Sequence, residues 1–328
     1  MTLTRLATLA ALVLPSFQVL AEEILPAQFE HNRVFLSAAA PDGEEVVFYT
    51  DTGGGFNAVT ESVAAGYSLA HGGTAESENG ELDLVQFPDF AEKSGIPIPA
   101  PDRWLGGNLA VVPDKRLEAD GFLGSRWFAG KIWVFDYPGE KLSRLSTLDL
   151  PADFEEMPLG FRADDAGIRD LNFPRVTIQI DGEPLDVLLD TGATALLTKS
   201  SASEYGLSPG TRVGTSYIVR SKYERWRTRH PDWKIVMDGE AVTGQAMPMI
   251  EVPEVKIGRI SVGPVWFSVR PDETFLNWMS QMMDKQIVGA VGGSMLQYLR
   301  MIVDYPAAKA YFQFPADEGS SEQSGRVR

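Results

Sequence analysis

The chain has 328 residues, 44% of them hydrophobic and 23% charged, with no cysteine and a formal net charge of −16 at pH 7. This composition is ordinary for a soluble globular protein of one large domain or two lobes. The 31 glycines and 21 prolines favour a turn-rich β protein, and the lack of cysteine excludes disulfides. The strong negative charge argues against nucleic acid and against anionic membranes as partners.

The first 21 residues have the organisation of a secretory signal peptide. Arg5 supplies a short positive segment, residues 6–14 are apolar, and Ala21 provides a small residue at a cleavage site before Glu22. An uncleaved anchor is the alternative, but the stretch is short for a membrane span and is interrupted by Pro15. We therefore expect cleavage near Ala21 and a periplasmic or secreted protein with no stable membrane insertion.

Two apolar, strand-like runs each end in the sequence Asp-Thr-Gly. The first triplet is at 51–53 and the second at 190–192, and each has a predicted hairpin upstream with an Asp-Gly turn, at 42–43 and 181–182. A single Asp-Thr-Gly is weak evidence, because Asp and Gly are common turn residues.

The elements after both triplets recur in the same order, which predicts an internal duplication. Gly-Phe-Leu-Gly at 121–124 matches Gly-Ala-Val-Gly at 289–292, and an Asp-Tyr-Pro sequence begins 12 positions after the last glycine in both cases. A weaker match pairs residues 85–90 with 250–255. The two triplets therefore occupy equivalent positions in two related halves, so we expect them to meet.

The repeat divides the chain into five parts. We predict a signal peptide at 1–21, an N-terminal lobe at 22–150, an inter-lobe linker at 151–172, a C-terminal lobe at 173–316 and a flexible tail at 317–328. The linker is acidic and lacks strand alternation. One helix is predicted from Pro271, with Phe275, Leu276, Met279 and Met283 as a core-packing stripe.

Paired carboxylates suit the hydrolysis of a peptide bond by water. Two carboxyl groups a few Å apart cannot both ionise cheaply, so they share a proton over a wide pH range. The ionised member can activate a water, and the protonated member can donate to the carbonyl oxygen. Asp51 and Asp190 are the predicted catalytic pair.

The other residues of the triplets are predicted to support this pair. Gly53 and Gly192 allow tight turns and close backbone approach. Thr52 and Thr191 are expected to form hydrogen bonds across the pair and fix the two loops, because loosely placed carboxylates would be ineffective.

These residues resemble the aspartic peptidases, the retropepsin-like and pepsin-like enzymes, over nearly the whole mature chain. The run 176–180 followed by 187–193 is similar to the retropepsin pattern. The apolar-apolar-Gly elements that end at Gly124 and Gly292 resemble the strand that crosses behind each catalytic loop, and Asp-Tyr-Pro after that strand is similar to bacterial members.

The resemblance implies an all-β acid protease fold, with two homologous retropepsin-like β-barrel lobes, a central cleft and few short helices. It implies an aspartic endopeptidase that acts on a peptide or protein substrate and needs no cofactor or metal. Because one chain carries both triplets, a monomer suffices for the active site.

The chain departs from the family in two places. The first triplet continues with Gly54-Gly55, where the family has Ala, Ser or Thr, and a more flexible loop there would weaken the pair. The second half carries about 26 extra residues, expected between Tyr205 and Ala246, with a basic and aromatic segment at 212–234. This segment is expected in the region of the hairpin that covers the cleft, either as a cover or as an ordinary surface excursion.

Other functions receive less support from the sequence. The alternative on the same fold is a catalytically weak or inactive peptide-binding protein, and a third possibility is an envelope scaffold that docks through the basic segment. Three scattered histidines and no His-Glu-x-x-His predict no zinc site. The Gly-Leu-Ser-Pro-Gly run at 206–210 lacks the leading strand of a nucleophile elbow and is predicted to be a turn.

Overall fold

The computed structural model describes residues 22–77, 80–149, 153–242 and 245–314. Strands dominate these residues and the helices are few and short, so the predicted all-β class is confirmed. The predicted signal peptide and the predicted tail lie outside the described residues. Across the described ranges, no helix is long and apolar enough to cross a membrane.

The first half of the chain contains twelve described strands and three short α-helices. The strands are β1 (Glu22–Ile24), β2 (Ala27–Glu30), β3 (Arg33–Ala39), β4 (Glu45–Thr50), β5 (Asn57–Thr60), β6 (His71–Ser77), β7 (Gly80–Val85), β8 (Leu109–Val112), β9 (Gly121–Leu123), β10 (Ile132–Asp136), β11 (Lys141–Leu145) and β12 (Glu155–Pro158). The helices are α1 (Glu61–Gly66), α2 (Asp89–Lys93) and α3 (Ser125–Phe128), with a 3-10 turn at Asp114–Arg116.

The second half contains thirteen described strands and three more α-helices. The strands are β13 (Arg175–Ile180), β14 (Glu183–Leu189), β15 (Thr194–Leu196), β16 (Arg212–Gly214), β17 (Ser216–Val219), β18 (Ile235–Val242), β19 (Gln245–Val252), β20 (Val255–Ile257), β21 (Ile260–Val262), β22 (Val265–Arg270), β23 (Gly289–Val291), β24 (Arg300–Asp304) and β25 (Lys309–Gln313). The helices are α4 (Lys199–Tyr205), α5 (Arg220–Arg229) and α6 (Gly293–Leu296).

Two large sheets, one from each half, share the order of seven strands. The N-terminal sheet runs β2-β3-β4-β9-β5-β8-β7-β6, and the C-terminal sheet contains β13-β14-β23-β17-β22-β19-β18 in the corresponding order. The strand directions also correspond: β4 with β9 and β5 with β8 are parallel, as are β14 with β23 and β17 with β22. The two sheets therefore share a strand order of the kind that a duplication predicts.

The hairpins that lead into both triplets have the predicted turns. In the first, Gly43 has a φ of +90°, and in the second, Asp181 and Gly182 have φ of +53° and +76°. In the second hairpin, positive φ at both central residues is the type I′ geometry that matches the twist of the flanking strands, whereas in the longer first loop only the glycine has a positive φ. These turns fix the register that delivers each Asp-Thr-Gly at a strand end.

A third sheet joins the two halves, in the order β1-β11-β10-β24-β25-β12. Its central pair is β10 from the first half and β24 from the second, in antiparallel register. The predicted linker contributes β12, which pairs with β25, although the sequence predicted no strand there. Pairing with a strand more than 150 positions later in the chain supplies the order that this acidic segment lacks locally.

The described sheets are open rather than closed. Strands β2 and β6 form the edges of the N-terminal sheet, and β18 and β21 form those of the C-terminal sheet. The barrel closure expected for the two lobes is therefore not found among the described residues.

The largest hydrophobic core cluster of the described residues contains side chains from both halves. It includes an aromatic group in which the ring centroids of Trp127 and Trp133 are 4.3 Å apart and Phe128 packs edge-on against Trp133 at 5.2 Å. Both indole nitrogens donate to backbone carbonyls, at Pro97 and at Phe128. The two halves therefore share one core.

The extra residues of the second half are not where the sequence predicted them. The register makes Ser216 in β17 the counterpart of Asn57 in β5, since each is directly beside β23 or β9. Asn57 lies 6 positions after Asp51, whereas Ser216 lies 26 positions after Asp190, so 20 extra residues directly follow the second triplet. They form β15, α4 and β16.

The basic segment at 212–234 is consequently not a surface insertion over a cleft. It contains the sheet strand β17 and the helix α5, which correspond to β5 and α1. Its aromatic side chains Tyr223 and Trp226 are buried, at 0% and 2% exposure. The hairpin that corresponds to β6–β7 is β18–β19, which begins after this segment.

The segment after Pro271 is helical, as predicted, but it is not an α-helix. It winds as a π-helix over Glu273–Trp278 and continues as a 3-10 turn over Met279–Met282. The predicted stripe packs into a separate core cluster, with Phe275, Met279 and Met283 buried. The core-packing interpretation of these methionines is confirmed.

Candidate active site

Each Asp-Thr-Gly triplet lies at the end of a central strand and is tied to the parallel strand beside it. The N–H of Asp51 donates to Leu123 O at 3.0 Å, and the N–H of Asp190 donates to Val291 O at 2.9 Å. The same backbone hydrogen bond therefore holds the first residue of each triplet beside the neighbouring strand, directly after β4 or β14. Equivalent positions in the repeat are equivalent positions in space.

The two threonines interlock the two triplets. The N–H of Thr52 donates to Thr191 Oγ1 at 3.1 Å, and the N–H of Thr191 donates to Thr52 Oγ1 at 2.9 Å. Thr52 Oγ1 also donates to Leu189 O at 2.7 Å. Both threonines are fully buried, and exchanged hydrogen bonds between buried groups resist relative movement of the loops.

The two carboxyl groups are direct neighbours. Each influences the pKa of the other, and each lies against the glycine of the other triplet. A Cβ on Gly53 would be 2.7 Å from Asp190 Cγ, and one on Gly192 would be 2.5 Å from Asp51 Cβ. The triplet glycines are therefore required for close approach of the two halves, in addition to forming the turns.

Backbone donors orient each carboxylate. Gly53 N–H donates to Asp51 Oδ1 at 2.7 Å, and Gly192 N–H donates to Asp190 Oδ1 at 3.0 Å. The corresponding oxygens of the two side chains are thus held in the same way.

Burial raises the pKa of both carboxyl groups. Asp190 is only 8% exposed, and the neighbouring charge of Asp51 raises the pKa of Asp190 further, well above its ordinary value. The pKa of Asp51 is also raised, mainly by burial, although hydrogen bonds from Asp190 and from the backbone oppose this. The pair therefore retains one proton at pH values where isolated aspartates are ionised, with Asp190 as its favoured holder.

Gly124 and Gly292, predicted to lie behind the loops, have no room for a side chain. A Cβ on Gly124 would be 2.7 Å from Gly54 O, and one on Gly292 would be 2.6 Å from Asp190 O. Their N–H groups donate to equivalent side chains, Asn57 Oδ1 at 2.9 Å and Ser216 Oγ at 3.1 Å. Side chains at the start of β5 and β17 therefore fix the crossing strands β9 and β23.

The glycine after the first triplet is explained by a neighbouring ring. A Cβ on Gly54 would be 2.6 Å from Phe122 Cε1, whereas the second copy has Ala193 and Ala290 at the corresponding positions. Gly54 O also accepts a hydrogen bond from Ser125 N–H at 2.7 Å. The expectation of a flexible loop is thus not supported, because Phe122 occupies the volume that an alanine would use.

Two tyrosines beside the pair were not among the predicted site residues. Tyr49 Oη donates to Gly192 O at 2.9 Å, across the boundary between the halves. Tyr217 Oη donates to Thr194 O at 2.7 Å and accepts from Thr194 N–H at 2.8 Å. Tyr49 precedes Asp51 by two positions and so shares its strand face, a signal that was available in the sequence. Tyr217 had no such signal.

A cleft of about 660 Å³ opens beside the second triplet. Its lining residues are Thr194, Leu196, Arg212, Glu240, Ala241, Val242, Gln245, Met247, Arg270, Pro271 and Thr274. Arg270 donates to both oxygens of Glu240, at 2.5 and 2.8 Å, and the guanidinium lies 4.0 Å from the Tyr217 ring centroid. A buried ion pair therefore forms part of the cleft wall.

The basic side chains of α5 and its flanks are largely paired with acids of the same half. Lys222 and Arg225 contact Glu183, while Arg229 and His230 contact Asp181 at 3.1 and 3.0 Å. This pairing reduces the positive surface on which the docking hypothesis depended. Among the described residues, no cluster of three or more His, Asp or Glu side chains is arranged to hold a metal ion.

Comparisons with protein-family models and with curated proteins returned no match for this chain.

Proposed function

We propose that this protein is an aspartic endopeptidase in which Asp51 and Asp190 hydrolyse peptide bonds with an activated water. The observation that carries the proposal is the reciprocal arrangement of the two triplets. Each threonine accepts from the other triplet's backbone, and each glycine admits the other triplet's carboxyl group. Turn residues with no shared function have no reason to meet in this way.

In the proposed reaction, the ionised Asp51 takes a proton from the water as its oxygen attacks the carbonyl carbon. Asp190 gives its proton to the carbonyl oxygen, which yields a neutral tetrahedral diol. Asp51 then gives its proton to the amide nitrogen while Asp190 takes a hydroxyl proton back from the diol, so the carbon–nitrogen bond breaks and the pair returns to its singly protonated state. The raised pKa of Asp190 is what supplies the acid at moderate pH.

We also propose that the two halves are retropepsin-like lobes with the substrate between them. The common strand order of the N-terminal and C-terminal sheets supports this, as does the position of both triplets at the boundary. The hairpins β6–β7 and β18–β19 are then the two candidates for covering a bound peptide. No cofactor enters the proposed reaction, and one chain supplies both aspartates.

The inactive peptide-binding alternative loses its main argument. It depended on a loose first loop, whereas Gly54 and Gly55 are held by Ser125 N–H and by Arg126 Nε, which donates to Gly55 O at 3.0 Å. Both aspartates are also held by backbone donors. The enzyme proposal therefore accounts for more of the site.

The test is hydrolysis of a mixed peptide library between pH 3 and pH 8 by the mature protein and by Asp51→Asn and Asp190→Asn. We expect cleavage by the wild type and by neither variant. Asp165→Asn, the same change at an exposed position in the segment between the halves, is the matched control and should retain activity. Cleavage by either dyad variant at the wild-type rate, or no cleavage by the wild type, would overturn the proposal.

A further inference from the structure

The cleft beside the second triplet, called the polar cleft below, has charged wall residues whose equivalent positions in the N-terminal sheet are apolar. The strand register identifies these equivalent positions. In the N-terminal sheet Leu84 pairs with Ala110, and in the C-terminal sheet Met249 pairs with Ser268, so these pairs correspond. Counting along the strands from this point aligns two cleft-lining residues, Glu240 and Arg270, and the buried Ser268 between them with three residues of the N-terminal sheet. Glu240, Ser268 and Arg270 correspond to Ala75, Ala110 and Val112.

The three corresponding residues of the N-terminal sheet are all apolar. Ala75, Ala110 and Val112 are buried in one small hydrophobic cluster, together with Leu84 and Leu105. A cavity of about 70 Å³ borders the cluster, lined by Phe56, Ser77, Leu82, Trp104, Ala110, Val112 and Arg116. This cavity has room for a small side chain, and most of its lining is apolar.

The C-terminal member is ionic and buried. Glu240 is 4% exposed and Ser268 is fully buried, and Ser268 Oγ donates to the same carboxylate that Arg270 binds. Desolvating two charges is expensive, and a well-packed apolar set is often at least as stable. The N-terminal sheet shows that this architecture accepts such a set, so stability alone does not explain the ion pair.

Both members of the ion pair line the cleft, and the cationic one is the more exposed. The Arg270 side chain is 17% exposed, against 6% for Glu240, whose oxygens already accept from Arg270 and Ser268. Arg212, 43% exposed, adds a second guanidinium to the cleft wall, with one nitrogen 2.9 Å from Glu118. Because Arg270 already donates to Glu240, Ser268 Oγ and Val269 O, the donors that the cleft keeps available belong mainly to the exposed Arg212.

The cleft begins next to the catalytic pair. Thr194 lines it, and Thr194 Oγ1 donates to Gly192 O at 3.0 Å. A side chain placed in the cleft would thus belong to a residue very close to a peptide bond held at Asp51 and Asp190.

We propose that this cleft is a specificity pocket for an acidic side chain, glutamate or aspartate, on the side of the scissile bond that faces the C-terminal sheet. This inference rests on the proposed peptidase function and names its substrate class. The other side of the bond takes a small apolar residue, in keeping with the corresponding cluster. A lysine in the cleft would meet Arg270 and Arg212 and be repelled.

Binding measurements separate this inference from the chemistry. Full-length Asp190→Asn is titrated with fluorescent peptides that differ only in one residue, Glu, Gln, Leu or Lys, placed in turn on each side of an apolar residue. We expect the Glu peptide to bind about tenfold tighter than the Leu peptide, the ratio that one charge-assisted hydrogen bond supports. The Lys peptide should bind weakest.

Two variants test which residues are responsible. Glu240→Ala/Ser268→Ala/Arg270→Val transplants the N-terminal set and should reverse the preference toward Leu, with folding checked by thermal melting. Arg212→Gln leaves the buried pair intact and should reduce the Glu preference several-fold, as expected from loss of one exposed charge. Equal binding of Glu and Leu peptides by the parent protein, or a Glu preference that persists in the folded triple variant, overturns the inference.

The outcomes for pocket and reaction are distinct. Cleavage of peptides by the wild type without any acidic preference would reject the pocket and leave the peptidase proposal standing. Glu-selective binding without cleavage by the wild type would reject the peptidase proposal and retain the pocket as a binding site.

Discussion

Val134 and Ile302 occupy the same position in the two copies of the repeat, and they are paired directly across β10 and β24. Their neighbours pair in the matching way, so that Trp133 is opposite Val303 and Phe135 is opposite Met301. Two identical positions can face each other in antiparallel register only where a local twofold axis passes between them. The two triplets meet because they are related by the same operation.

The interlocked threonines should contribute to both stability and catalysis. Thr52→Val and Thr191→Val each remove the acceptor of a buried N–H, so we expect each to cost about 1–3 kcal/mol of the free energy of unfolding. The catalytic rate should fall in both variants, since the carboxyl groups lose their fixed relation. Urea denaturation and cleavage of one peptide substrate measure the two effects.

Serine is the matched control at these positions, because it retains the hydroxyl and loses only a methyl group. Thr52→Ser should therefore preserve most of the activity that Thr52→Val loses. Valine variants as active as the serine variants would show that the exchanged hydrogen bonds do not position the pair.

A side chain at position 54 would compete with the Phe122 ring for the same space, so the stability effects of substitutions at Gly54 and Phe122 should be coupled. Gly54→Ala places a methyl group against the Phe122 ring, and we expect a loss of roughly 1–3 kcal/mol, the usual cost of overpacking. In a Phe122→Ala background, which resembles Ala193 and Ala290 of the second copy, the same change should cost little. A double-mutant cycle by urea denaturation gives the coupling. Equal costs in both backgrounds would contradict this explanation of the glycine.

The close approach of the two triplets could be predicted from the sequence, because the same elements follow both triplets in the same order. Asp51 and Asp190 are followed by the same elements, and equivalent positions of a duplicated unit meet at its symmetry axis. The role of Gly54 could not be predicted in this way. Its explanation is Phe122, a residue close only because β9 returns to lie beside β4.

The extra residues were misplaced for a related reason. The matching motifs fixed only the interval that contains the extra residues, which ends at Pro88 in the first half and at Pro253 in the second. Any place within that interval was equally consistent with its extra length. The pairing of β17 with β23 decides the matter, since it assigns Ser216 to the position of Asn57. Basic composition had suggested a surface excursion, whereas Tyr223 and Trp226 are core residues.

No sequence pattern predicted the ion pair in the wall of the polar cleft. Glu240 and Arg270 are 30 positions apart on β18 and β22, which are not adjacent strands but are joined through β19. Each residue alone would be taken for an exposed charge in a strand. Only the register shows that both charges replace buried apolar residues of the other half.

The tyrosines of the two Asp-Tyr-Pro sequences should tolerate loss of their hydroxyl groups. Tyr137 and Tyr305 are 5% and 0% exposed, and neither Oη has a hydrogen-bond partner in the described part of the chain. Burying an unpaired hydroxyl costs free energy, so Tyr305→Phe should leave the melting temperature unchanged or raise it, by up to about 1–3 kcal/mol in stability. Tyr223→Phe, which removes a hydroxyl near Met237 Sδ, is a comparison at another fully buried tyrosine. A fall of several degrees in Tyr305→Phe would show that its hydroxyl does have a partner.

The dyad should make stability fall as the pH rises above the range of ordinary aspartates. The pKa of Asp190 is raised in the folded state, so its contribution is complete below the unfolded pKa, about 3.9, and is lost as the pH passes through the folded value. Asp190→Asn removes this titration. Compared with the wild type in urea denaturation from pH 4 to pH 9, the variant should gain up to about 1.4 kcal/mol per pH unit over that interval. Cleavage by the wild type should decline over the same interval, because the acid member loses its proton. Parallel stability curves for the two proteins would mean that Asp190 titrates as an ordinary carboxyl group and is not the proton donor.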